Sequence, residues 1–146
     1  HLLLKDTFDN FSFIEGEITT FNKFTISGFL QEDFFDEKPE ETYSRWNKTR
    51  DFCFQIIRGK RTPLGFKIVL ALPEDQVPYF LTAHGLTGYR PEEIRGLYLN
   101  FHYDGHHLQC ITGTSLNTFT MDKSIEREWD QEVKNILKSR SIEGDY

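Results

Sequence analysis

Nothing in this sequence is long and apolar enough to cross a bilayer: no run approaches the roughly 20 apolar residues a membrane helix needs. The Leu2-Leu3-Leu4 run is too short for the apolar core of a secretory signal. Cysteine is scarce. Cys53 and Cys110 are the only two, which is too few for a disulfide framework or a four-thiolate zinc site, and both sit among apolar neighbours. That pattern suits free thiols packed in a core in a reducing compartment. Positive charge is also in deficit: 17 Lys and Arg face 23 Asp and Glu, a net charge of −6. Indiscriminate binding to nucleic acid or to an anionic membrane is therefore not the default. There is no Gly-rich phosphate loop, no paired-histidine metalloprotease motif, no C-x-x-C and no ribonucleoprotein aromatic motif. No cofactor is indicated.

What the sequence has in abundance is rings. It carries 14 Phe, 6 Tyr and 2 Trp in 146 residues. Most fall at core-facing spacings, so the first reading is a core built from aromatics in place of aliphatics. The sharper one is an aromatic-lined pocket or interface. The length fits one domain, 1–146.

Thr, Ile and Phe dominate residues 11–20 and 23–30, which read as two strands joined by a turn at Phe21-Asn22. Gly16 and Gly28 interrupt them and mark a bulge or a close backbone approach. An acidic connector, 31–41, holds Phe34 and Phe35. Pro39 is suited to opening a helix that Tyr43, Trp46, Cys53 and Ile57 continue and Gly59 stops. The alternation Leu64, Phe66, Ile68, Leu70, Leu72 is the clearest strand in the chain. A short helix is expected over 76–84, with His84 as a cation at its C-terminus, and a helical turn at 91–94. Strands 97–103 and 106–112 are expected to form a hairpin on Asp104-Gly105, followed by a strand at 115–121. Asp122 can cap a final helix, 123–140, whose apolar stripe is Ile125, Trp129, Val133, Ile136 and Leu137. The fold class is α+β in the order β-β-α-β-α-β-β-β-α: a mainly antiparallel, twisted sheet of about six strands with two long helices packed on it.

Two constellations are candidates for chemistry. A two-residue hairpin loop at Asp104-Gly105 would set His102 opposite His107, with Cβ atoms about 4.5–5.5 Å apart, close enough to share a transition metal. The second is a charge asymmetry. Between Arg45 and Lys67 there are seven basic residues and one acid, against ten basic and 22 acidic elsewhere. Arg58, Lys60, Arg61 and Lys67 could meet a phosphate or an acidic partner. The helix dipole offers a structural cause: Glu40 and Glu41 at the start of the first helix, and Arg58, Lys60 and Arg61 past its end. No nucleophile stands next to a base, and Gly113-Thr114-Ser115 is not a nucleophile elbow.

Three segments carry a family likeness: Leu3-Leu4-Lys5-Asp6-Thr7-Phe8-Asp9, Arg58-Gly59-Lys60-Arg61-Thr62-Pro63-Leu64, and Thr112-Gly113-Thr114-Ser115 with Phe119-Thr120-Met121-Asp122-Lys123-Ser124. Together with the Trp129 helix they resemble a family of small proteins of low-GC Gram-positive gut bacteria, a domain of unknown function. The resemblance spans nearly the whole chain and implies a bacterial cytoplasmic protein, with a short further segment ahead of Leu2. It brings no activity or site residue. The function expected is a non-catalytic binding or protein-interaction module, with Phe34-Phe35 or Tyr98 as contact rings and a second copy or another protein as partner. The alternatives are phosphate or nucleic-acid binding through 45–67, and a metal-dependent enzyme on the His102/His107 face. No membrane partner is expected.

Overall fold

The computed structural model describes residues 7–57 and 63–140. Five strands form one antiparallel sheet: β1 Ser12–Thr19, β2 Lys23–Ser27, β3 Gly65–Ala71, β4 Ile94–Tyr103 and β5 Leu108–Leu116, in spatial order β2-β1-β3-β4-β5. Three α-helices accompany it: α1 Trp46–Ile57, α2 Val77–Ala83 and α3 Ser124–Ser139. The chain is therefore α+β and antiparallel, with five described strands where about six were expected. The missing one is the strand at 115–121. Its first residues continue β5, and the rest loop toward α3. Gly113 lies inside β5 opposite Tyr98.

Period-2 alternation decides which side of the sheet is covered. Phe13, Ile18, Ile68, Leu70, Leu97, Leu99 and Phe101 point one way and are buried. The helices seal that face. Trp46 of α1 lies 5.6 Å, ring to ring, from Phe13. Trp129 of α3 meets Phe80 of α2 edge-on at 5.7 Å and donates its indole N–H to the Tyr98 carbonyl at 3.0 Å. Phe8, Phe11 and Phe101 continue the ring cluster. Seven of the described rings (Phe8, Phe11, Phe13, Trp46, Phe80, Phe101 and Trp129) are buried in this core, and as many, Phe34 and Phe119 among them, are exposed.

The first helix starts later than Pro39 suggests. Residues 42–45 run extended instead: Leu30 N–H donates to Thr42, Ser44 N–H to Gly28 and Phe13 N–H to Ser44, at 3.0, 2.9 and 2.7 Å. These bonds to distant strand ends satisfy the backbone as fully as a helical turn would. They also explain Gly28, where a Cβ would collide with the Phe13 carbonyl. The dipole account of Glu40 and Glu41 fails with the late start, because no acid lies in the first turn of α1. Arg58, Lys60 and Arg61 lie outside the described residues.

At the start of α3, Asp122 accepts from the Ser124 N–H at 3.0 Å, from the Ser124 hydroxyl at 2.8 Å and from the Tyr89 hydroxyl at 2.6 Å. The Tyr89 bond, then those from Ser124, hold its carboxyl below the usual carboxylate range. No described helix is long and apolar enough to cross a membrane.

Candidate functional site

The face opposite the helices has no described helix packed on it. Strand register lines up Thr25, Glu17, Lys67, His102 and Gln109 as one row across all five strands. Val69, Asn100 and Ile111 form the next row, and Ala71, Tyr98 and Gly113 the one after. Lys67 and His102, singled out in sequence for different reasons, are thus cross-strand neighbours. Lys67 also has Glu17 as its neighbour on the other side, whose carboxylate pairs with Lys23 at 3.1 Å.

The expected His102–His107 pair does not form. His102 lies opposite Gln109 and Tyr103 opposite Leu108, which leaves 104–107 as the loop. The cause is Asp104. One of its carboxylate oxygens accepts the backbone N–H groups of both His106 and His107 at 2.8 Å, and its own N–H donates to the His107 carbonyl at 3.3 Å. The bonds from His107 and then His106 also lower the Asp104 pKa. The loop has widened by two residues, and a slip of two preserves which side chains share a face. Tyr98, Asn100, His102 and Gln109 therefore share the open face, while His107 sits in the loop. Among the described residues no group of three or more His, Cys, Asp or Glu is arranged to hold a metal.

Two hollows indent this open side. One, of about 240 Å³, lies at the hairpin end and is lined by residues including Glu17, Lys67, His102 and Asp104. The other, of about 300 Å³, lies at the far end of β1, β3 and β4, where residues 40–45 and 72–75 form its walls. Four carboxylates (Glu40, Glu41, Glu74 and Asp75), two guanidiniums (Arg45 and Arg95) and the rings of Tyr43 and Tyr98 line it. Arg45 is a brace: its Nε donates to Glu41 at 2.6 Å, one terminal nitrogen donates to the Asn10 carbonyl at 2.8 Å, and the other lies 4.0 Å from Asp75. Arg95 donates through Nε to Asn117 at 3.2 Å. Tyr98 folds back along its own strand over Gly96, where any Cβ would strike the ring. Glycine at 96 is what lets an aromatic floor lie flat there.

The thiols are poor nucleophiles. Burial pushes Cys53 up to about 11, and burial with the nearby Asp130 charge pushes Cys110 up to about 11, so both stay protonated at neutral pH. Of the rings expected at a contact surface, Phe34 is well exposed and meets Phe35 edge-on at 5.4 Å, and Tyr98 is half-buried.

One constellation went unread. His84, at the end of α2, places Nδ1 2.8 Å from Glu128 and Nε2 2.8 Å from Glu132, both on α3, with the Phe80 ring at 4.7 Å. Burial alone would lower the imidazole pKa. The two carboxylate hydrogen bonds and their charges outweigh it, and the net shift is upward. The i, i+4 spacing of Glu128 and Glu132 was visible in sequence, but their partner lies 44 residues away from the nearer one. With both ring nitrogens engaged, the group works as a clamp between helices.

No curated protein and no solved structure matches the chain. A family model does, over residues 1–145, in agreement with the likeness carried by the three sequence segments, and the chain belongs to the family of unknown function DUF5721.

Proposed function

We propose that the protein is a non-catalytic binding module that seats a small ligand bearing a cationic group in the hollow floored by Tyr98. The observation that carries this is the hollow itself, about 300 Å³, with a flat aromatic floor beside carboxylates that outnumber guanidiniums four to two. Arg45 is spent on Glu41 and the Asn10 carbonyl, which leaves the balance of the walls negative. A protonated amine gains there from Glu40 or Glu74 and from the faces of Tyr43 and Tyr98. The protonated thiols favour binding over turnover.

The test is thermal denaturation with spermidine and arginine amide on one side, and inorganic phosphate and a mononucleotide on the other. A cationic probe at about 100 times its Kd adds about 2.7 kcal/mol, a rise of roughly 5–10 °C for a chain of this size. Tyr98→Ala, on the open side of the sheet, removes the response. A rise with phosphate alone overturns the proposal in favour of the basic segment, Arg58, Lys60, Arg61 and Lys67. No rise with any probe overturns it as well.

A further inference from the structure

The two edges of the sheet are built differently. β2 is five residues long, and its Lys23 pairs with Glu17 of β1 at 3.1 Å. Short length and a charged lysine are the usual protection of a sheet edge against pairing with another chain. β5 has neither. It is nine residues long, Leu-Gln-Cys-Ile-Thr-Gly-Thr-Ser-Leu, with no charge and no proline. No described strand pairs with its outer side. On β5, Leu108 and Ile111 are 51% and 56% exposed, and in the loop that follows Phe119 and Met121 are 90% and 80% exposed.

We propose that β5 is a homodimer interface, in which β5 of one copy pairs antiparallel with β5 of a second to make one continuous ten-stranded sheet. A two-fold interface must be complementary to itself. Charged edge strands meet that condition badly, because like charges then fall opposite or diagonal to one another. An uncharged strand meets it without penalty. With the two-fold axis at Thr112, Thr112 faces its own mate and Ile111 lies across from Gly113 of the other copy, a large residue over a small one. Leu108 lies across from Leu116. The loop after Leu116 is held back toward β4, where the Asn117 N–H donates to the Glu93 carbonyl at 2.7 Å, and so leaves the outer side of β5 clear. Backbone hydrogen bonds supply direction, and Leu108, Ile111 and Leu116 of each copy supply area that strand pairing alone lacks. The lack of any charged residue along β5 favours a second copy over a basic or acidic partner.

The test is sedimentation equilibrium of the full chain between 1 and 200 μM, with Ile111→Lys as the variant. Ile111 is exposed on the open face, so the lysine enters no core, and an unchanged melting curve establishes that the variant folds. Wild type is expected to approach twice the 17.3 kDa chain mass. Ile111→Lys puts two ammonium groups diagonal across the new ladder and raises the dissociation constant at least about tenfold. Amide hydrogen exchange is the second readout: protection at alternate residues of 108–116 should rise with protein concentration in wild type and not in the variant. A wild-type monomer at 200 μM overturns the proposal. So does a dimer that Ile111→Lys leaves intact, or a dimer whose β5 amides exchange no more slowly than those of the monomer.

Discussion

The two faces of this sheet come from the same strands and differ in almost everything else. On the covered face, apolar residues of β1, β3 and β4 meet Trp46, Phe80 and Trp129 and are nearly all withdrawn from water. On the open face, the same strands present Glu17, Lys67, His102, Asn100 and Tyr98. One face is energetically expensive to alter and the other cheap, and that asymmetry is what leaves the second free for binding. The ligand site proposed for the open side could change at little cost to the fold, while the helices carry stability on the other.

The largest test of this contrast is Trp129→Ala. It opens a cavity at the centre of the covered face and leaves the Tyr98 carbonyl without its indole donor. The expected loss is about 3–5 kcal/mol, read as a fall in denaturant midpoint with unchanged slope. A loss below about 1 kcal/mol would mean the helices contribute little to the core.

The clamp between α2 and α3 gives a smaller, pH-dependent effect. The folded-state pKa of His84 lies above its unfolded value near 6.5. The imidazolium's contribution is therefore fully present below about pH 6.5 and is lost as pH rises through the elevated folded value. Glu128 and Glu132 are the carboxylates facing it, and Phe80 is the ring beside it. Thermal melts from pH 5.5 to 9 should show wild type losing stability relative to His84→Gln across that interval. Parallel curves would mean the clamp does not titrate.

The smallest effect is expected on the open face. His102→Gln, opposite Gln109 and Lys67, should stay within about 0.5 kcal/mol of wild type. A larger loss would reveal that something covers this face in the folded protein, and the contrast between the two sides would have to be redrawn.

Much of the covered face could be read in advance because its signal is local. The alternation around Ile68 and Leu70 and the helical stripe Ile125, Trp129, Val133 each repeat at the period of their own element. The hollow was not legible. Its walls come from 40–45 and 72–75, brought together with Arg95 and Tyr98, and no spacing along the chain encodes that meeting. Pro39 also suggests helix for residues 40–45. Pro39 is compatible with a helix start but does not compel one, and bonds to Gly28, Leu30 and Phe13 drew the segment into an extended strap. His84 had the right position, at a helix end, but its two carboxylates belong to a helix more than 40 residues on.

The amino-acid sequence by itself determined the α+β class, the antiparallel pairing and which side chains of each strand share a face, because periodicities of 2 and 3.6 are properties of the local backbone. Even a two-residue error in the β4–β5 register left those faces intact. Which carboxylates meet His84, where Asp104 spends its oxygens, which edge stays unprotected and what lines the hollow were decided only by the tertiary structure. These depend on hydrogen bonds and packing between residues far apart in the chain, whose energies are set by closeness in space and leave no period in the sequence.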